Sequence, residues 1–431
     1  MLYYSTNKSS PIVDFRQATI HGQAPDGGLY FPESIPVLPL EFLNNLKSFS
    51  NEEIALKVIT PYIGDSIPLA AVRKIVNETI NFPFPLIKIT GSISSLELFH
   101  GPTLAFKDVG ARFMSRCLAH FVQGLDKKIT VLVATSGDTG GAVASGFYDV
   151  PGIEVVILYP AGKVSRIQEL QLTTYGNNIT ALKINGSFDE CQQMVKQAFR
   201  DKELNEKIFL TSANSINVAR WLPQQFYYFF ALKQWEEITP PVISVPSGNF
   251  GNVCAGLMAF RSGLPVSQFI AACNSNNTVP EYLATGKYNA KKAMHTISNA
   301  MDVGDPSNFV RILEIFGHDL SELRHGIQSI SIDDERTKEI IRQVYAEHQY
   351  LLDPHGAVGF LALQNYLLEN PGKKGFFLET AHPVKFNDVV EGVIREKIKL
   401  PLGVEEILYK RSSSISVNAD SGSLRDYLAG V

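Results

Sequence analysis

The feature that most constrains this chain is an alternation beginning near Lys127. Apolar runs rich in β-branched residues take turns with segments of helical spacing. KITVLVAT (128–135) leads through SGDTGG into AVASGFY. IEVVILYP (153–160) precedes VSRIQELQLTTYG, and NITALKIN (178–185) precedes SFDECQQMVKQAF. KIFLTSA (207–213) precedes INVARWLPQQFYYFFALKQW. PVISVP (241–246) leads through SGNFGN into VCAGLMAFRSG, and QFIAACN (268–274) is a sixth run. Strands that are apolar without alternation need cover on both faces. Strands separated by helices pair in parallel, so the expectation is an α/β protein with parallel sheets covered by helices. Ligands of such sheets bind at the loops beyond the carboxyl ends of the strands.

The flanks read differently. The first ninety-odd residues carry spaced prolines (FPESIPVLPLEF, NFPFPLIKI) and no strand–helix alternation. The 431 residues exceed one simple core. The division expected is an N-terminal, mostly helical segment (1–95) packed on the body, a smaller α/β domain (96–237), and a larger α/β domain (238–431) ending in C-terminal helices. IDDERTKEIIRQVYAEHQ and GAVGFLALQNYLLE have helical spacing, and GFFLETAHP reads as a last strand.

Charge excludes some functions. The 39 basic and 43 acidic residues give a net charge of -4, with no Lys/Arg block, so no nucleic-acid or membrane-surface role is expected. No apolar run approaches the ~20 residues of a membrane span. The aromatic window WLPQQFYYFFALKQW is expected to be a buried helix. Cys117, Cys191, Cys254 and Cys273 form neither a C-x-x-C pair nor a Cys/His metal cluster. They suit reduced core positions in a cytoplasmic protein without a metal.

Three loops in the alternating region suit anions. Ser247-Gly248-Asn249-Phe250-Gly251-Asn252 precedes a helix whose free N–H groups make a phosphate cup. It departs from both the Walker A and the G-x-G-x-x-G patterns, and an ordinary tight turn has the same composition. Thr135-Ser136-Gly137-Asp138-Thr139-Gly140-Gly141 offers hydroxyls and N–H groups for a carboxylate or phosphate; the alternative is Asp138 or Thr139 as a helix cap. Ser212-Ala213-Asn214-Ser215-Ile216-Asn217, with Arg220 just beyond, suits another anion; the alternative is a solvent-facing arginine. All three loops are expected on one edge of a single sheet. Upstream, LELFHGPTLAFKDVG (96–110) sets Lys107 behind a Gly-Pro-Thr turn and the apolar Leu104, Ala105 and Phe106. A desolvated lysine has a lowered amine pKa and can form a Schiff base with an aldehyde. Pyridoxal phosphate brings an aldehyde and a phosphate; an amino-acid substrate adds a carboxylate.

LFHGPTLAFKD, ATSGDTG, SANSIN, VPSGNFGN and ETAHP, in this order, together with DGGLYFP near residue 30, resemble the threonine synthase family of fold-type-II pyridoxal-phosphate enzymes, in its bacterial and fungal form. The similarity extends to about residue 400; the tail from about Gly403 carries no matching motif. The resemblance implies that Lys107 carries the cofactor and moves protons. It implies that Gly248, Asn249, Phe250, Gly251 and Asn252 hold the cofactor phosphate and that Thr380 faces the pyridine nitrogen. Thr135, Ser136, Gly137 and Thr139 belong to the loop for the substrate carboxylate. Asp138 approaches the cofactor 3′-oxygen, where many fold-type-II relatives have asparagine; a carboxylate only accepts, so that contact needs a shared proton. Asn214, Ser215 and Arg220 match residues that bind the phosphate of O-phospho-L-homoserine. The reaction implied is its conversion with water to L-threonine and phosphate, the last step of threonine biosynthesis. Two rivals remain: a phospholyase of the same cofactor class that releases a 2-oxo acid, and a non-catalytic relative that only binds. Oligomeric state is not legible.

Overall fold

The computed structural model describes residues 1–123 and 128–430; Lys127, where the alternation was placed, lies outside them. The N-terminal segment contains a small antiparallel sheet, β1 (Leu2–Ser5), β2 (Val13–Asp14) and β3 (Tyr30–Pro32), in the order β2-β1-β3. Helices such as Asn51–Ile63 and Leu69–Thr79 make up much of the rest. The sheet escaped sequence reading because strands of two to four residues are too short for a period to show.

Further strands follow in chain order: β4 (Leu86–Lys88), β5 (Ile93–Glu97), β6 (Ile129–Ala134), β7 (Ile153–Pro160), β8 (Ile179–Asn185) and β9 (Phe209–Ser212). Then come β10 (Val242–Pro246), β11 (Gln268–Cys273), β12 (Ile327–Ser331), β13 (Gly375–Glu379) and β14 (Ile415–Asn418). They form two sheets, ordered β12-β11-β10-β13-β5-β4 and β14-β8-β7-β6-β9. All pairings are parallel except β4 with β5 at one edge. The six apolar runs are thus all strands. Their continuous apolarity has the expected cause. In β6, Val131 and Val133 face one core, while Leu132 and Ala134 face another; in β13, Phe376 and Leu378 oppose Phe377 in the same way.

Two expectations need correction. The three anion-suited loops do not follow strands of one sheet: β6 and β9 lie in the five-stranded sheet and β10 in the six-stranded one. They still meet, since residues of all three loops line one cavity. The division at 95/96 cuts through β5, which pairs with β13 in the larger sheet (Ile93↔Gly375), and the tail returns to the smaller sheet, where β14 pairs with β8 (Ile415↔Leu182). Sheet membership is decided by which edge is free for pairing, and chain order does not reveal that. The helix Ser421–Ala429 completes the return by burying Leu424 and Leu428 against Met194 and Cys191.

Insertion of β13 between β10 and β5 positions the site, because it sets ETAHP at the centre of the sheet edge beside SGNFGN. The Lys107 turn is stitched to this strand end. Leu98 N–H donates to the Glu379 carbonyl, Phe106 N–H to that of Thr380, and His382 N–H to that of Leu104.

Candidate active site

Lys107 opens the helix Lys107–Phe121. The turn before it is held by Asp108, whose carboxylate accepts the Thr103 N–H (2.9 Å) and hydroxyl (2.5 Å). Leu104, at φ 58, takes the left-handed conformation that reverses the chain. Three residues into the helix, Gly110 passes the Arg220 carbonyl oxygen so closely that a Cβ would lie 2.5 Å from it. Lys107 and Arg220 are therefore delivered to one cavity by direct backbone packing.

That cavity is lined by Lys107, Thr135, Ser136, Asp138, Thr139, Asn214, Ser215, Arg220, Gly248 to Asn252 and Thr380. Of the residues to which the resemblance gives a cofactor or substrate role, Gly137 alone is not in its lining. At φ 136 it is the N-cap of the helix Asp138–Phe147, and neither Asp138 nor Thr139 supplies a side-chain cap. The capping alternative for Asp138 and Thr139 is thereby removed. The hydroxyl oxygen of Thr135 accepts the N–H groups of Gly137 and Gly140, both at 2.9 Å, which arranges the loop from beneath.

In the glycine loop, Phe250 is left-handed (φ 60) and Gly251 starts the helix Gly251–Arg261, so successive amides face the cavity from a helix N-terminus. A Cβ on Gly248 would sit 2.6 Å from the Met301 Cα, so only glycine admits the Asn299–Val303 loop over this cup. Asn249 Oδ1 is used internally, accepting the Ser307 N–H and hydroxyl. Thr380 is nearly buried, and its carbonyl is occupied by Phe106 while its side chain lines the cavity.

Arg220 is 4% exposed, so the solvent-facing alternative fails. Its Nε and Nη1 are buried without a hydrogen-bond partner, as are Asn214 Oδ1, Gln224 Oε1, Asn252 Nδ2 and Asn299 Oδ1, all on residues lining this cavity. Buried polar atoms are seldom left unpaired in folded chains, and a cluster around one cavity marks where a polar ligand completes the set. Burial lowers the Arg220 guanidinium to about 10, opposed by Tyr227 and Asp108. Burial likewise brings the Lys107 amine down to about 8. Asp138 opposes this, and Lys385 and Arg220 add to it.

Sequence reading missed several contributors. Lys385 is fully buried and donates to Asp138 Oδ1 at 2.8 Å. Gln168 Nε2 donates to the same oxygen at 3.0 Å. His355, in the cavity wall, is fixed at both ring nitrogens: Nδ1 lies 2.5 Å from Asp353 Oδ1, and Nε2 accepts the Ala300 N–H at 3.1 Å. That pair anchors the loop above Gly248. One signal was available for Lys385: like Lys107, it sits among apolar neighbours (Val384, Phe386) just after a strand end.

An amine depressed by burial, next to a helix-start cup for phosphate, is the pairing that a phosphorylated aldehyde requires, and the buried, unpaired Asn252 Nδ2 in that cup fits such a group. The class is that of the pyridoxal-phosphate-dependent enzymes, and residues 94–376 match the family described as "Pyridoxal-phosphate dependent enzyme". The flanks are narrower in what they match: residues 2–80 match "Threonine synthase N terminus" and residues 356–428 match "Threonine synthase, C-terminal", so the similarity runs through the tail. Threonine synthase of Escherichia coli (strain K12) is 43% identical over 427 residues, covering 99% of this chain and 98% of the relative. The crystal structure of threonine synthase from Escherichia coli superposes with a TM-score of 0.94 at 42% identity, covering 100% of each chain. That of the PLP-bound threonine synthase from Brucella melitensis gives 0.92 at 34%, covering 100% of this chain and 99% of the other. The chain belongs to the threonine synthase family, whose members are pyridoxal-phosphate-dependent lyases. Among the described residues no helix is long and apolar enough to cross a membrane.

Proposed function

We propose that this enzyme converts O-phospho-L-homoserine and water into L-threonine and phosphate. The observation that carries the reading is Arg220, a buried guanidinium with unpaired donors, in a cavity that already has a separate phosphate cup at Gly248–Asn252. One cup suits the cofactor; the second suits a substrate that brings its own phosphate. Bound pyridoxal phosphate supplies an aldehyde for Lys107 and an electron sink for carbanion chemistry.

The remaining roles belong to the chain. Backbone N–H groups from Gly248 to Asn252 hold the cofactor phosphate, and Thr380 faces the ring nitrogen. Asp138, its Oδ1 already paired with Lys385, acts beside the cofactor oxygen as an ionised acceptor. Ser136, Gly137 and Thr139, on the loop ordered by Thr135, take the substrate carboxylate. Asn214, Ser215 and Arg220 take the substrate phosphate. The Lys107 amine, on a flexible stem, takes protons from two neighbouring substrate carbons. Arg220 stabilises the phosphate as the γ-carbon–oxygen bond breaks; a proton then goes to the γ-carbon, which becomes the methyl group, a water oxygen bonds to the β-carbon as the water loses a proton, and a proton returns to the α-carbon. Four buried free cysteines accord with a reducing, cytoplasmic setting.

The test is phosphate release from O-phospho-L-homoserine by the cofactor-loaded enzyme, with Lys107→Ala as control. Release by the wild type that the variant loses by ~10²-fold or more is expected. No release by the wild type would overturn the substrate assignment.

A further inference from the structure

Asp138 lies between two lysines. Its Oδ1 accepts from Lys385 Nζ at 2.8 Å and from Gln168 Nε2 at 3.0 Å, while its Oδ2 faces Lys107 Nζ at 3.9 Å. Lys385 has no exposed surface, and its ammonium also donates to the Thr103 carbonyl at 2.9 Å. Thr103 belongs to the turn that delivers Lys107. One buried ammonium thus joins the segment after β13, the start of the helix Asp138–Phe147 and the Lys107 turn, across the two sheets. A lysine has three donors and no acceptor, so a carbonyl and a carboxylate suit it at this junction. Burial of such a cation is costly unless it is paired, which makes a purely incidental position hard to sustain.

We propose that Lys385 is a positioning residue for Lys107: it holds the Asp138 carboxylate on its own ammonium at 2.8 Å, so that the Lys107 amine, 3.9 Å from that carboxylate, has no hydrogen-bonded counter-ion and can exist as the free base. The proposal rests on Lys107 being the cofactor lysine. The charges facing Lys107 are Asp138, Lys385, Arg220 and Asp353. Burial lowers its amine; Asp138 and Asp353 oppose this, and the two cations assist. Burial works against ionisation of Asp138, yet Lys385 and then Lys107 hold it well below the carboxylate range. Lys385 itself is faced by Asp138, and its charge also reaches Asp108 and His382. Without Lys385, the carboxylate would be left with Lys107 as its nearest cation. The carboxylate would then pair with Lys107 and retain the amine's proton.

The test reads Lys107 directly, without turnover. The cofactor-free enzyme is labelled competitively with acetic anhydride from neutral to alkaline pH, and the Lys107 peptide is quantified by mass spectrometry. In Lys385→Met the titration midpoint of Lys107 is expected to rise by about one pH unit, roughly tenfold less free amine at neutral pH. Lys385→Arg, which keeps the charge, should stay near the wild type, and Asp138→Asn should fall below it. An unmoved midpoint in folded Lys385→Met overturns the proposal, as does an Asp138→Asn midpoint at or above wild type. If Lys385→Met does not fold, the double variant with Asp138→Asn removes both buried charges. With no carboxylate left to hold, its midpoint is expected near that of Asp138→Asn alone; a rise of about a full pH unit over Asp138→Asn overturns the proposal, because Lys385 would then act on Lys107 directly. A Lys107→Ala enzyme that still fixes the cofactor covalently on borohydride treatment would instead sink the reading of Lys107 itself.

Discussion

Replacing Arg220 by methionine should make the enzyme more stable and nearly inactive. The guanidinium is buried, and two of its nitrogens lack partners. Its pKa of about 10, lowered chiefly by burial, lies roughly two to three pH units below the usual guanidinium value, equivalent to about 3 kcal/mol held against the charged form. Methionine fills similar length without the charge, so the substrate-free variant should gain about 1–3 kcal/mol, a rise of a few degrees in melting temperature. Activity should move the other way, with kcat/KM for O-phospho-L-homoserine falling by ~10²–10³-fold and kcat sharing the loss, since the leaving phosphate loses a donor made for it. Inorganic phosphate provides the link between the two effects. Added to cofactor-loaded wild type, whose glycine cup is filled, it should raise the melting temperature, by about 2.7 kcal/mol of stability at 100 times its Kd. The variant should not respond, and Arg220→Lys should respond weakly because a point charge cannot make the planar fork. The reasoning is refuted if Arg220→Met melts at or below wild type, gains as much from phosphate, and turns over normally.

Other expectations follow from the same geometry. Thr380→Val should weaken cofactor binding or slow turnover, measured by cofactor titration and steady-state kinetics; unchanged values would make Thr380 a strand-end residue only. Gly356→Ala should destabilise by at least about 1–3 kcal/mol in denaturant melts, because a Cβ there would sit 1.6 Å from the buried Glu379 Oε2, one residue before Thr380. Capture of cofactor by the cofactor-free enzyme should quicken with pH and reach half its maximum near the Lys107 value of about 8. The accompanying stability has a definite sign. Folded Lys107 binds fewer protons than the unfolded chain between about 8 and the free-lysine value of ~10.4, so its penalty is fully present below that window and is relieved as pH rises through it. Lys107→Met should abolish that part of the pH dependence, as chemical denaturation across this window would show.

The strands and the loops of this site were legible because they depend on local order. A run such as IEVVILYP must be covered on both faces wherever it lies, and a glycine loop before a helix presents N–H groups in any α/β protein. Lys107 was legible from its apolar wall. Sheet membership was not. The pairing of β13 with both β10 and β5, or of β14 with β8, joins residues far apart in the chain, and no local pattern reports it. For the same reason Lys385, the Asp353–His355 pair and the Asn299–Val303 loop escaped notice. Each matters because of what folding sets beside it. Lys385 shows only its apolar neighbours in the sequence, and its partner Asp138 arrives from the other sheet. Asp138 in turn reads as an odd replacement for asparagine until its buried cation is seen.

The most direct test of the account is the fate of the substrate carbons in heavy-oxygen water. The cofactor-loaded enzyme is supplied with O-phospho-L-homoserine, and products are read by mass spectrometry and NMR. The account predicts L-threonine and phosphate in equal amounts, with one solvent oxygen on the β-carbon of the threonine. Phosphate accompanied by a 2-oxo acid and no threonine would contradict it, and would assign the same cleft to a phospholyase.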